Sequence, residues 1–92
     1  MYQVIWSSKF KKDYKLAIKR NYNIEELDNV IRKLANGEVL EEKYNDHQLN
    51  GNYSKFRECH IRPDWLLIYA IDNGKLVLTL SRTGSHSDLF NM

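Results

Sequence analysis

Residues 53–82 read YSKFRECHIRPDWLLIYAIDNGKLVLTLSR, and this stretch decides the fold. Its first part, 53–61, mixes polar and apolar side chains, whereas 65–71 is an almost continuous apolar run. A Pro-Asp pair separates these segments, and an Asp-Asn-Gly turn leads into a third segment, 75–82, in which Leu76, Leu78 and Leu80 alternate with other residues. Alternation is typical of strands with one buried face. A continuous apolar run is typical of a strand that is covered on both faces. The stretch therefore predicts three consecutive strands in an antiparallel meander.

Because side chains alternate along a strand, the pattern also predicts which of them share a face. One face of the first strand carries Phe56, Glu58 and His60. One face of the third strand carries four alternate residues: Leu76, Leu78, Leu80 and Arg82. We expect Glu58, His60 and Arg82 on a concave, partly open face of the sheet. Asp64 and His86 are expected in the adjoining loops.

Upstream of the meander, the chain predicts one strand and one basic helix. Residues 2–6 form a short β-like run, and Ser7 or Ser8 can cap the helix that follows. Apolar residues then recur with helical spacing at Phe10, Tyr14, Ala17 and Ile18. Most of the lysines fall on the other side, so we expect an amphipathic helix that ends near residue 21.

A second helix is predicted directly after the first. Asn23 and Glu26 have the spacing of a capping box, and Asn36-Gly37 provides a C-terminal stop. Between them runs the apolar stripe Leu27, Val30, Ile31 and Leu34. The short connection predicts an antiparallel helical hairpin. Near the end of the chain, Ser85 is expected to cap one last helical turn that holds His86, Leu89 and Phe90.

The predicted order is β-α-α-β-β-β with a short C-terminal helical turn, over a single domain of residues 1–92. We expect an α+β fold in which the helical hairpin packs on a small antiparallel, mixed-order β-sheet. With 42% hydrophobic and 28% charged residues, the composition is that of an ordinary soluble domain. We see no signal peptide or membrane span, and the single cysteine fits a reducing cytoplasm, where we expect the protein to act.

Charge is distributed unevenly along the chain. Residues 1–20 carry six Lys or Arg against one Asp, 21–50 carry three against seven acidic residues, and 51–92 carry five against four. These counts give about +5, −4 and +1, which sum to the net charge of +2. The basic first helix is compatible with a polyanionic partner, but charge alone favours a solvated helix face.

All three histidines lie in polar surroundings in the second half of the chain: His47, His60 and His86. The sequence contains no C-x-x-C, H-x-x-x-H or D-x-D-x-D spacing, so we expect neither a metal nor another cofactor. Cys59 is adjacent to His60 and would point to the opposite face of the strand. We interpret it as a buried thiol.

Metal-free cleavage of RNA fits these residues. RNA supplies its own nucleophile, the 2′-hydroxyl, and needs a base, an acid and a cation for the phosphate. Candidate acid and base groups are His47, His60, Asp64 and His86, with Arg82 as the cation. Phe90 and Trp65 could offer flat surfaces to an unstacked base. Each side chain also has a purely structural interpretation: Trp65 in the core, Phe90 as a plug, His60 as a sheet residue, or Arg82 paired with Glu58.

Three segments closely resemble the YafQ-type branch of the RelE/ParE toxin superfamily: DHQLNG at 46–51, RECHIRPDWLLIY at 57–69 and SRTGSHSDLF at 81–90. The resemblance implies a toxin of a type II toxin–antitoxin pair that cuts translated mRNA on the ribosome, without metal, through a 2′,3′-cyclic phosphate. It also implies neutralisation by a DinJ-like antitoxin, with the pair repressing its own operon through operator DNA.

Matched position by position, the resemblance makes His47, His60, His86 and Asp64 catalytic. It makes Arg82 the phosphate ligand and Phe90 the C-terminal aromatic. Glu58 departs from relatives that have aspartate there. As a working hypothesis, His86 is the general acid, and Asp64, aided by His47 or His60, acts on the 2′-hydroxyl.

Two other functions stay open at this point. One is a ParE-like toxin that binds DNA gyrase, although such a protein would not need three histidines in polar surroundings. The other is a non-catalytic operon co-repressor.

Overall fold

The computed structural model describes residues 1–90, which form five strands and three helices. In chain order these are β1 (Gln3–Trp6), α1 (Ser8–Lys19), α2 (Ile24–Ala35), β2 (His47–Gln48), β3 (Arg57–Arg62), β4 (Trp65–Asp72), β5 (Val77–Gly84) and α3 (His86–Phe90). Two short 3₁₀ turns, Glu42–Tyr44 and Gly51–Tyr53, flank β2. Within these residues, no helix is long and apolar enough to cross a membrane.

The strands form one mixed sheet in the order β1-β5-β4-β3-β2. Strands β2, β3, β4 and β5 pair antiparallel in this succession, and the short turns of the sequence predict the part from β3 to β5. Strand β1 joins the other edge and runs parallel to β5, with Val4 opposite Leu78 and Trp6 opposite Leu80. The predicted α+β fold is confirmed, and the mixed order arises because the two helices separate β1 from the remaining strands.

Helices α1 and α2 cover one face of the sheet and form the main core with it. The predicted stripe of α2 is buried throughout, and it packs with sheet residues such as Cys59, Leu67 and Leu80. On α1, Phe10 and Ala17 are buried, but Ile18 is 51% exposed, so its predicted place in the core is wrong. Eight residues at about 100° each put Ile18 about 80° around the helix from Phe10, at the margin of the buried stripe.

At the ends of α1 and α2, two of the three predicted capping features are found. Ser7 caps α1, with its Oγ accepting a hydrogen bond from the backbone N–H of Phe10 at 3.0 Å. Gly37, after the end of α2, has the positive φ of 77° that the Asn-Gly stop predicts. The side chain of Asn23 makes no capping hydrogen bond. The predicted capping box is absent because the Glu26 carboxylate instead accepts from Nε of Arg62, at 2.7 Å.

Two local features of β5 differ from the predicted pattern. The turn before it is longer than the Asp-Asn-Gly hairpin: the positive φ, 56°, falls on Leu76, which is 54% exposed. A β-bulge then lies across the β4–β5 pair, because Tyr69 pairs with Leu80 whereas Ile68 pairs with Arg82. The extra residue shifts the alternation. Leu80 therefore faces the main core and Arg82 faces the other side, so the predicted shared face of 76–82 is wrong.

Strand β2 has only two residues, too few for a periodic signal, and the sequence does not predict it. Its pairing places His47 directly opposite Glu58 on β3. Further pairings continue the same line across the sheet, from Glu58 to Ile68 and from Ile68 to Arg82. Residues opposite one another in antiparallel strands share a face. This face, away from α1 and α2, carries the candidate site.

Candidate active site

The three histidine rings lie in a row on this face. The ring centroids of His47 and His60 are 6.3 Å apart, and those of His60 and His86 are 5.9 Å apart. Strand pairing holds the first two, and the third begins α3, directly after β5. Leu66 pairs with His60, and Ile68 pairs with Glu58. Both are buried, so the site face is apolar beside the histidines.

Glu58 lies between the first two histidines and is only 6% exposed. Its Oε1 is 3.5 Å from Nε2 of His47 and 3.3 Å from Nε2 of His60. The Nδ1 atoms face backbone carbonyls, of Asn45 at 2.7 Å and of Pro63 at 3.3 Å. Carbonyl and carboxylate oxygens only accept hydrogen bonds. Each ring thus has acceptor oxygens near both of its nitrogens.

His86 has its own carboxylate partner, Asp64, in the turn between β3 and β4. Oδ1 of Asp64 is 2.7 Å from Nδ1 of His86 and accepts a second hydrogen bond, at 3.0 Å, from the His86 backbone N–H. These two bonds, the backbone one first, lower the pKa of Asp64 below its ordinary value. The ionised carboxylate fixes the imidazole through Nδ1, so that Nε2 is the nitrogen left for a substrate.

Helix α3, which carries His86, is held by a capping box that the sequence analysis only half identified. Ser85 Oγ accepts from the backbone N–H of Asp88 at 3.1 Å, and Asp88 Oδ2 accepts from the backbone N–H of Ser85 at 3.0 Å. Arg20 at the end of α1 donates to the same oxygen at 2.6 Å. Together, the Arg20 bond first, these contacts lower the pKa of Asp88 to about 2. The spacing of Ser85 and Asp88 in the sequence could have predicted the second half of this capping box.

Asp46 is a second residue that the sequence analysis did not single out. Its Oδ1 accepts from the hydroxyl of Tyr69 at 2.5 Å and from Nε of Arg57 at 3.3 Å. Tyr69 is buried, and desolvation raises the pKa of its hydroxyl. The preceding residue, Asn45, has a φ of 46°, which turns its carbonyl toward His47. The Asp46 carboxylate therefore anchors the loop that presents His47.

Arg82 lies on the site face by register, but its guanidinium is engaged elsewhere. Nε and Nη2 donate to Oδ2 and Oδ1 of Asp13 on α1, at 2.7 and 3.1 Å. The backbone N–H of Thr83 also donates to Asp13, at 3.1 Å. The alternative pairing of Arg82 with Glu58 is not formed, because Glu58 pairs with the two histidines. The cation predicted for the phosphate thus has a carboxylate partner in this conformation.

Trp65 does not belong to the site. It is 4% exposed, its Nε1 donates to Oγ1 of Thr83 at 3.0 Å, and its ring lies 4.9 Å from that of Tyr22. The prediction that Trp65 offers a flat surface to a base is therefore wrong. Its position at the start of β4 turns the side chain into the main core, where a purely structural role accounts for it.

Phe90 ends α3 one helical turn after His86, so the two side chains lie on the same side of the helix. Its ring is half-buried and stands edge-on to the ring of Tyr53, with centroids 6.3 Å apart and an interplanar angle of 87°. Tyr53, in the turn between β2 and β3, was not among the predicted site residues.

Cysteine and carboxylate side chains are the other potential metal ligands of the chain. Cys59 is fully buried in the main core, and desolvation strongly raises the pKa of its thiol, which makes it a poor nucleophile and ligand. Among residues 1–90, no group of three or more His, Cys, Asp or Glu side chains is arranged to hold a metal ion.

Solved structures place this fold among bacterial toxins. The chain is similar to YafQ in the crystal structure of the E. coli DinJ–YafQ complex, with a TM-score of 0.90 and 35% identity over 98% of this chain and 99% of that one. It is also similar to a metal-bound toxin from Helicobacter pylori, with a TM-score of 0.91 and 43% identity over 98% of this chain and all of that one.

Sequence comparison gives the particular family. The chain is 37% identical over 86 residues to the mRNA interferase toxin YafQ of E. coli strain K12, covering 92% of this chain and 91% of that protein. The family model "Bacterial toxin of type II toxin-antitoxin system, YafQ" matches residues 2–91. The chain therefore belongs to the YafQ family of toxins of type II toxin–antitoxin systems, as the three sequence segments indicated.

Proposed function

We propose that this toxin is an mRNA interferase, an endoribonuclease that cuts mRNA on the ribosome and thereby stops translation. The observation that carries the proposal is the row of three imidazoles served by two carboxylates, one shared between His47 and His60 and one dedicated to His86. The activity named for the E. coli relative supports it. Imidazole is the side chain best suited to exchange protons near neutral pH.

The proposed reaction moves two protons and needs no nucleophile from the protein. A base takes the proton of the 2′-hydroxyl, whose oxygen forms a bond to phosphorus. The bond from phosphorus to the 5′-oxygen breaks, and an acid gives that oxygen a proton. The products are a 2′,3′-cyclic phosphate and a free 5′-hydroxyl. This chemistry requires that acid and base lie on opposite sides of one phosphate, a requirement that a row of rings about 6 Å apart can meet.

We assign His86 as the general acid, with Asp64 as the residue that positions it. Oδ1 of Asp64 already accepts two hydrogen bonds, and its lowered pKa makes it a weak proton acceptor. This geometry favours holding His86 over the direct action on the 2′-hydroxyl that the sequence suggested. The bond from Asp64 to Nδ1 also holds the ring so that Nε2 can face the leaving 5′-oxygen.

The base is then one ring of the pair on Glu58. Glu58 lies within 3.5 Å of both rings, so either His47 or His60 could accept the 2′-proton while the other faces the phosphate oxygens. Arg82 would add a cation by exchanging Asp13 for the phosphate, since its backbone already lies on the site face. Phe90 would contact a base of the RNA.

Partners follow from the same proposal. We propose that a DinJ-like antitoxin neutralises the toxin, by analogy with the DinJ–YafQ complex of E. coli, and that the pair represses its own operon. Ribosomes and translated mRNA are then the targets, which places the action in the cytoplasm. The lysines of α1 offer a positive surface for this polyanionic partner.

The test is cleavage of translated mRNA on purified ribosomes by the protein and by His86→Ala. Removal of a general acid should lower the cleavage rate about 10²- to 10⁴-fold and abolish growth arrest on expression. Ser87→Ala changes the exposed neighbour on the same helix and should cut at the wild-type rate. Thermal melts of both variants should match the wild type. A wild-type cleavage rate for His86→Ala would remove the acid assignment, and intact mRNA with the wild-type protein would remove the proposed activity.

A further inference from the structure

Tyr53 is exposed and lies in the connection between the two strands that carry His47 and His60. It is 54% exposed, unusual for a large aromatic ring with no assigned role. The connection is tightly held: Gly51 adopts a φ of 64°, the Phe56 N–H donates to the Tyr53 carbonyl at 2.9 Å, and Nε2 of Gln48 donates to the Ser54 carbonyl at 2.7 Å. The exposed ring therefore projects from an ordered turn.

The ring of Tyr53 reaches the helix that carries the third histidine. Its contact there is Phe90, edge-on at 6.3 Å, and Phe90 lies one helical turn from His86. An edge-to-face pair covers at most one of the four ring faces, so aromatic surface stays available to another flat group. The contact between Tyr53 and Phe90 thus links the β2–β3 connection to α3, and these elements carry the three histidines. Both rings present aromatic surface at the border of the site.

We propose that Tyr53 and Phe90 together form a binding site for a nucleobase of the mRNA next to the phosphate that is cut. Tyr53 is the new part of this site, and the inference rests on the proposed endoribonuclease function. Proteins that bind single-stranded RNA hold splayed bases by stacking them on exposed aromatic side chains, and each such contact contributes substantially to affinity. Stacking here would place the adjoining phosphate along the histidine row.

The experiment measures kcat and KM for cleavage of ribosome-bound mRNA by four variants. Tyr53→Ala should raise KM roughly tenfold, with a smaller change in kcat, because base stacking is lost while the histidines stay in place. Tyr53→Phe keeps the ring and should retain most of the affinity. Tyr53→Leu keeps apolar bulk without an aromatic face and should resemble Tyr53→Ala. Leu76→Ala, equally exposed at 54% in the β4–β5 turn, is the matched control and should cut like the wild type.

The variants separate stacking from packing. If Tyr53 only holds Phe90 and α3 in place, Tyr53→Leu will restore the wild-type KM, and that result overturns the proposal. A wild-type KM for Tyr53→Ala overturns it as well, as does a Tyr53→Phe variant as defective as Tyr53→Ala. These results can be interpreted only if the wild-type protein cuts mRNA and His86→Ala does not. If the proposed function is wrong, the wild-type protein itself leaves mRNA intact, so the two failures are distinguishable.

Discussion

The two carboxylates of the site serve their histidines in opposite ways. Glu58 is buried in the sheet and shared by two rings at 3.3 and 3.5 Å, whereas Asp64 is 69% exposed in a turn and bound to one ring at 2.7 Å. Glu58 is held by strand pairing on both sides, and Asp64 by the two hydrogen bonds from His86. One carboxylate is part of the fold, and the other is part of the surface.

This difference in burial predicts different roles for the two carboxylates. A buried carboxylate left without its partners is costly, so Glu58 should matter for folding as well as for chemistry. An exposed carboxylate contributes little to stability, so we expect Asp64 to act mainly on the orientation of His86. Substitutions that keep the shape and remove the charge separate these roles.

Glu58→Gln should have the largest effect, because it acts on both rings and on the core. We expect the cleavage rate to fall at least about a hundredfold and the free energy of unfolding to fall by about 2 kcal/mol. Denaturant melts and single-turnover cleavage on ribosomes measure the two effects. If Glu58→Gln loses activity with unchanged stability, Glu58 affects only the chemistry, as is expected for Asp64, and the predicted difference between the two carboxylates is wrong.

Asp64→Asn should affect the chemistry alone. Without the charge and the fixed ring orientation, cleavage should slow by about tenfold to a hundredfold, since small displacements of a catalytic group are costly. The melting temperature should match that of the wild type, because the carboxylate is exposed. Measuring both quantities on one preparation checks the prediction. A clear fall in melting temperature would show that Asp64 also supports the fold.

Asp88→Asn should have the smallest effect, and one that depends on pH. The folded-state pKa of Asp88, about 2, lies below the ordinary 3.8, so its stabilising contribution is present above about pH 4 and is lost as the pH falls toward 2. The variant should lose about 1 kcal/mol at neutral pH, typical of a helix cap, and the gap from the wild type should close near pH 2. Urea melts across this range measure it. If the difference in free energy of unfolding between the variant and the wild type stays constant with pH, the lowered pKa of Asp88 is not the source of the stabilisation.

Much of the fold and part of the site could be predicted from local patterns. The α2 stripe, the Ser7 cap and the three-strand meander are signals carried by neighbours in sequence, and all three are found. The proximity of Asp64 and His86 also follows from the strand ends that precede them, whereas the position of His47 depends on β2, which has no periodic signal. The family resemblance was confirmed by comparison with known proteins.

What could not be predicted depends on partners that are distant in sequence or on a single extra residue. The pairing of Arg82 with Asp13 joins side chains 69 positions apart, and charge alone does not choose between Asp13 and Glu58. The bulge opposite Ile68 and Tyr69 reverses the alternation without any glycine or proline to mark it. The prediction for Trp65 failed because an aromatic residue beside Asp64 looks the same in sequence whether it faces the core or the solvent.

The shortness of β2 has a consequence for how this chain behaves in a crowded solution. Since β2 pairs with Arg57 and Glu58 alone, the outer margin of β3 from Cys59 onward has no strand beside it within residues 1–90. Unpaired margins attract strands from other molecules and so promote aggregation. Here the charged Arg62, bound to Glu26 of α2, and the adjacent Pro63 occupy that margin. The charge and the proline thus oppose pairing with a strand of another molecule at this margin.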